Sequence, residues 1–432
     1  RTPFDLPEGE SELVAGYLAR INAYDRSGPT LNSIVTVNPH AADEAAQLDT
    51  EFAASGTFSG PLHGVPIVVK DQVETAGIMT TFGSIALDGY VPDTDATAIR
   101  QLRAAGAIIL AKTAMPDFAT SWFGYSSKVG TTKNPYDLDH DPGGSSGGTG
   151  AAVAANLGAI GVGEDTGGSI RLPSSFDNLV GLKVTPGLIS RAGMSPLMVF
   201  QDSAGPMCRT VTDAAKLLEV MVGFDPADPY TATAAIAGQV KYSERLDKAA
   251  LSGARIGVVR EAFGEASDPS ATLVNTLIEQ ALAAMAAAGA TLVDVAIPDL
   301  QHYVALSSMY ITRARYDIDR FLAARPSLPM QNVKAIIAAK KYHPKLDFLE
   351  ALAEGPDDPY ADPEYYQRYM AREQFQRVVI NQMAKAGTTA LVFPTTQVPS
   401  PSRAELDAGK WPLLDFPTNT LIAAQTWMPA MS

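Results

Sequence analysis

The feature that most constrains this chain is an alternation: apolar runs short enough for a strand recur between longer segments with helical periodicity. The runs are "SIVTV", "GVPIVVKDQV", "AIILAKTA", "GAIGVG", "ARIGVVRE", "ATLVDVAIP" and "TALVFPTT". Helical periodicity is clearest in "DATAIRQLRAAGA", "VTDAAKLLEVMVG" and "ATLVNTLIEQALAAMAAAGA", whose terminal glycines suit helix C-caps. Runs this apolar need cover on both faces, so the pattern predicts an α/β architecture with a largely buried sheet. No period of 20 to 50 residues repeats, which argues against a solenoid or propeller.

With 432 residues, 46% of them hydrophobic, the chain can bury a sizeable core. Its formal net charge of -14 argues against counterion-release binding to nucleic acid and against attraction to anionic membranes. The expected partner is therefore a small molecule, with no nucleic acid and no membrane. Cys208 is the single cysteine, so neither an intrachain disulfide nor a Cys-rich metal site can form. The apolar stretch "ALAAMAAAGATLVDVAI" is interrupted by Gly289 and Asp294 and is no membrane span. A cytoplasmic setting is expected, although a chain that starts at Arg1 rather than Met is open to earlier processing. The segment from Pro226 to Leu251 reads as a connection between halves of one domain, and "EGPDDPYADPEYY" as an exposed loop before a helix near Tyr366.

Three segments can carry chemistry. In "VPIVVKDQV", Lys70 ends a buried run, and strand alternation turns Asp71 away from it. A lysine snorkelling out of a strand end fits the same residues. The chemical reading is a Lys70 desolvated without a salt bridge; burial lowers a lysine pKa from about 10.4 by as much as 3–5, which makes the amine a usable base. The second segment, "DPGGSSGGTG", reads as a flexible linker or as a loop threading a tight space. It lacks the lysine of a phosphate-binding loop, and "GVGEDTG" has one residue too many for a dinucleotide fingerprint. Both "GGSSG" and "GSSGG" match a nucleophile elbow centred on Ser145 or Ser146, with His302 or His343 downstream, but the preceding "NPYDLDHDP" is not a buried strand. In the third, "EDTGGSIRLP", the backbone N–H groups of Thr166, Gly167, Gly168 and Ser169 follow one another and can converge into an oxyanion hole. Taken alone, a serine after two glycines also reads as a turn.

Together, "GVPIVVKD", "PGGSSGG" and "DTGGSIR", in that order and with 24 positions from Ser145 to Ser169, resemble the motifs of the amidase signature family. The similarity extends over roughly Leu13 to Thr210, including "TTFGS", "KTAMPDFA" and "GLKVTPGLISR". The resemblance implies an α/β/α sandwich with a mixed central β-sheet covered by helices. It implies Ser169 as nucleophile, Ser145 as bridging serine after a cis peptide at Gly144, and Lys70 as base, with Asp165 and Arg171 ordering the loop. No metal or organic cofactor is implied. The whole of 1–432 is expected to be one amidase domain, with a motif core at about 60–210 and a more variable, substrate-shaping region at about 225–390. Family members usually continue beyond "TWMPAMS", so the C-terminus is expected to be truncated.

The chain departs from the family pattern at Glu164, where a small or hydroxyl residue is usual, at Gln72 and at Ala114. Phe118, Trp122, Phe123, Met194, Met198 and Phe200 suggest an apolar pocket, although core packing explains them as well. Ala119, Thr120, Ile170 and Met194 are the candidate substrate contacts. The substrates expected on this basis are aryl or acyl amides, anilides and carbamates (urethanes), with ester cleavage as a side activity. Two alternatives stand beside that reading: the glutaminase subunit of a tRNA-linked amidotransferase, and a catalytically silent binding protein on the same scaffold.

Overall fold

Every one of the seven apolar runs forms a strand in the computed structural model, which describes residues 9–432. The start of the chain, on which the question of processing bears, lies outside the described residues. Among the described residues, twelve strands occur in chain order. They are β1 (Ile34–Val37), β2 (Pro66–Lys70), β3 (Ile108–Thr113), β4 (Tyr125–Ser126), β5 (Gly130–Thr131), β6 (Ile160–Asp165), β7 (Val180–Lys183), β8 (Ser203–Cys208), β9 (Arg255–Val258), β10 (Thr291–Asp294), β11 (Ala390–Val392) and β12 (Ala430–Met431). The central sheet has seven strands in the order β1-β3-β2-β6-β8-β7-β12. Neighbours β3, β2 and β6 are parallel and the other pairs antiparallel, so the sheet is mixed, as expected.

Burial explains this arrangement. Ile67, Val68 and Val69 of β2 and Ile109, Leu110 and Ala111 of β3 are completely buried, each larger side chain contributing about 1.5–3 kcal/mol. The helices Thr97–Ala104 and Val211–Met221 supply Ile99, Leu102, Leu217 and Leu218 to the same core. The helix Gly147–Ala154 sits so close to β6 that a Cβ on Gly161 would press on Thr149 and Val153, which is why a residue without a side chain stands there.

The last three apolar runs do not join the central sheet but form a separate parallel sheet, β10-β9-β11. Their outer strands are short and half-exposed, which suits a small sheet covered on one side. Phe375 and Val379 of the long helix Tyr365–Ala386 pack there against Val259 and Ile297. The glycines that follow the helices Thr97–Ala104 and Pro269–Ala287, Gly106 and Gly289, have the left-handed backbone expected of a C-cap, whereas Gly223 does not.

Candidate active site

Because β2 and β6 are parallel neighbours, with Val69 opposite Val162, their C-terminal ends finish at the same edge of the sheet. That edge brings Lys70 to the glycine-serine loop. Lys70 is fully buried, its Nζ 2.8 Å from Ser145 Oγ and 3.1 Å from the Glu164 carbonyl oxygen. The Gly144–Ser145 peptide is cis. Asp71 does face away, accepting hydrogen bonds from the Thr81 hydroxyl (2.6 Å) and N–H (2.9 Å) and lying 3.7 Å from Lys112. The expectation that Lys70 has no salt bridge is nevertheless wrong: Glu164 Oε2 lies 3.3 Å from Nζ. The parallel register puts this β6 residue beside the end of β2. Burial lowers the Lys70 pKa, and the Glu164 charge opposes that fall without reversing it.

The segment after β6 is held from several sides. Asp165 accepts hydrogen bonds from the N–H groups of Gly168 (2.8 Å) and Ile170 (3.1 Å) and a two-point ion pair from Arg171, both contacts at 3.0 Å. Burial would raise the Asp165 carboxyl, but Arg171 outweighs it and holds the group below its ordinary range. Gln201 donates to the Thr166 carbonyl and Thr420 to the Gly167 carbonyl, each at 2.6 Å. Gly168 has φ +128°, a backbone that side chains disfavour, and a Cβ there would also strike Thr420. The Ser146 N–H donates to the Ser169 carbonyl at 3.1 Å and the Ser146 hydroxyl to the Glu164 carbonyl at 3.1 Å, tying the two serine motifs together. Of the four N–H groups expected to converge, that of Gly168 is turned to Asp165.

The remaining candidates separate. Ile170 packs over the sheet glycines Gly163, Gly181 and Gly205 and belongs to the core. Ala119 has a left-handed backbone (φ 62°), and the Thr120 hydroxyl donates to the Asp117 carbonyl at 2.7 Å. Met194 borders a cavity of about 330 Å³ together with Gln72, Glu164 and Asp202. Phe118, Phe123, Met198 and Phe200 are buried in one apolar cluster with Trp122 half-buried beside it. His343 stacks on Tyr125 and His302 lies against Tyr303, while the partner of Ser145 is Lys70; the residues leading into Ser145 form a loop and not the strand of a nucleophile elbow. Among the described residues, no group of three or more His, Cys, Asp or Glu side chains is arranged to hold a metal ion. Nor is any helix among them long and apolar enough to cross a membrane.

Sequence reasoning missed Asp202, Gln201, Tyr310 and Thr420. Tyr310 Oη accepts from Gln201 at 3.0 Å beside Gly167, and these residues come from unrelated parts of the chain with no motif to mark them. Glu164 did carry a signal, as a departure from the family pattern, but its partner depended on strand register.

Known proteins share this fold. The family model described as Amidase matches residues 12–432. A glutamyl-tRNA(Gln) amidotransferase subunit from Symbiobacterium thermophilum is 41% identical over 302 residues, 69% of this chain and 59% of that protein. The corresponding subunit from Deinococcus deserti is 33% identical over 414 residues, 93% of this chain and 82% of its own length. The matches to the first curated relatives thus span less than two thirds of those proteins. Among solved structures, the native peptide amidase from Stenotrophomonas maltophilia superposes with a TM-score of 0.85 at 34% identity, covering 98% of this chain and 86% of that one. These names overturn the expectation of a small amide or carbamate as the sole kind of partner: the curated relatives are named as subunits of a tRNA-linked assembly. Net charge misled here, because it speaks to direct electrostatic contact with nucleic acid and is silent on protein partners.

Proposed function

Given that the chain belongs to the amidase family, we propose that it is a serine amidohydrolase that opens a carbon–nitrogen amide bond through an acyl-enzyme on Ser169. The observation that carries this reading is the buried Lys70 amine 2.8 Å from Ser145 Oγ, in a loop tied to Ser169. Neutral Lys70 takes the Ser145 proton as Ser145 takes that of Ser169, whose oxygen attacks the amide carbonyl. The N–H groups of Thr166, Gly167 and Ser169 are the candidates to receive the oxyanion, with Gly168 held by Asp165 as their support. The proton returns through Ser145 to the departing nitrogen, and water then cleaves the acyl-enzyme.

For the substrate, the curated relatives favour the ammonia-releasing subunit of a tRNA-linked amidotransferase, acting on glutamine beside partner proteins in the cytoplasm. A second reading, hydrolysis of peptide amides, is favoured by the likeness to the peptide amidase over nearly the whole chain. The apolar cluster around Phe118 and Phe123 extends that second reading to anilides and carbamates, with the region 225–390 shaping the pocket. The test is a hydrolysis panel of glutamine, a peptide amide, an anilide, a carbamate and an ester, read by released amine or ammonia, together with copurification. Glutamine turnover that rises with copurifying proteins supports the first reading; peptide-amide turnover by the isolated chain supports the second. Turnover of none, by the chain alone or with its copurifying partners, contradicts both.

A further inference from the structure

Behind Lys70 lies a second acidic residue that the mechanism above does not use. Glu164 Oε1 is 3.1 Å from the Thr166 hydroxyl, and that hydroxyl is 2.6 Å from Asp202 Oδ1. A threonine hydroxyl has one proton to give. Two carboxylate oxygens meet it, so the contacts are all satisfied when one carboxyl is itself protonated and donates to the threonine. Asp202 is the better holder of that proton: burial and the facing Glu164 charge push its pKa well above the ordinary range, and the N–H groups of Leu197 (3.0 Å) and Met198 (3.0 Å), with Arg191 nearby, oppose that rise without reversing it.

The contacts of Lys70 count in the same way. A neutral amine has two N–H bonds and one lone pair. Its three oxygen neighbours are Glu164 O at 3.1 Å, Glu164 Oε2 at 3.3 Å and Ser145 Oγ at 2.8 Å. If the two N–H bonds go to the two Glu164 oxygens, the lone pair faces Ser145, which is the orientation a base needs. We propose that Glu164 is a positioning residue that aims the Lys70 lone pair at Ser145, and that a proton shared between Glu164 and Asp202 through Thr166 leaves Glu164 ionised and Asp202 neutral. This rests on the reading of Lys70 as the base. Both carboxyl residues border the 330 Å³ cavity, which gives the shared proton a place of exchange with solvent.

The other charged groups around this network are accounted for. Asp165 is paired with Arg171, Arg191 with Asp228, and the buried Lys183 amine is pushed down to about 7 by burial and by Arg171. Among the described residues, Glu164 is therefore the carboxyl group in contact with Lys70, and it has no guanidinium partner.

The test is the pH profile of kcat/KM for the full chain on its best panel substrate, with or without copurified partners. An anion beside Lys70 favours the ammonium form, so removing it lets the base stay neutral at lower pH. Glu164→Gln is expected to move the acid limb down by a unit or more, a gain of about tenfold in kcat/KM relative to its own plateau on that limb, and the plateau itself is expected to fall as the lone pair loses its aim. Glu164→Ser serves as a second variant and shifts the limb in the same direction. Asp202→Asn copies the protonated acid, donating to Thr166, and is expected to leave the limb in place. An unmoved limb in both Glu164 variants, or a downward shift in Asp202→Asn as large as theirs, overturns the proposal. Full activity in Lys70→Ala overturns the underlying reading and this proposal with it, whereas lost activity there with an unmoved limb in the Glu164 variants overturns this proposal alone.

Discussion

Lys70 and Lys112 make an instructive pair. Lys70 ends β2 and Lys112 is the last residue but one of its parallel neighbour β3, and both are fully buried with a carboxylate within 4 Å. Burial lowers the pKa of each, Lys112 to about 8. Yet Lys112 spends its hydrogens on the Val73 carbonyl and the Thr80 hydroxyl, with Asp71 alongside, and none of these leads to a reacting group. Lys70 faces a serine. Desolvation alone therefore does not make a base; a proton donor in the right place is also needed, and the glycine-serine loop supplies it.

The comparison can be broken by experiment. Lys70→Ala is expected to lower the acylation rate at neutral pH by about 10²–10⁴-fold, measured by stopped-flow or burst kinetics, with the fold kept by circular dichroism. Lys112→Ala is expected to do the reverse: it strands Asp71 in the interior and costs about 3–5 kcal/mol in urea unfolding, while turnover per folded molecule stays near that of the parent. Equal losses of turnover in the two variants would dissolve the distinction. A smaller effect concerns pH. The folded pKa of Lys112 lies below the unfolded one, so between about 8 and 10.5 the unfolded chain binds a proton that the folded chain does not. Stability from this residue therefore rises with pH across that window, by at most about 1.4 kcal/mol per pH unit, and Lys112→Met is expected to flatten the rise in urea melts at pH 8, 9 and 10.

What the sequence made legible follows from the same physics. β2, β3 and β6 announce themselves because a strand buried on both faces must be continuously apolar. β8, "SAGPMC", lies in the middle of the sheet and has no such signature: glycine and proline read as turn residues, and Pro206 sits opposite Val162 in a position that strand rules disfavour. The sheet β10-β9-β11 was visible as strands but not as a separate sheet, since pairing is not written in local periodicity. In the site, Lys70, Ser145 and Ser169 stood out through ordered motifs. The Glu164 contact to Lys70 did not, because it depends on how β6 registers against β2. Asp202 was silent for a similar reason, since its contact to Thr166, and through it to Glu164, is made only in the fold.

The central claim is that Ser169 forms the covalent intermediate. Intact-mass and peptide mapping after reaction with a serine-directed phosphonate test it most directly. One adduct per chain, located on Ser169, lost in Ser169→Ala together with turnover, which falls by about 10⁶-fold, is the predicted result. An adduct on Ser145 or Ser146, or turnover preserved in Ser169→Ala, would contradict it.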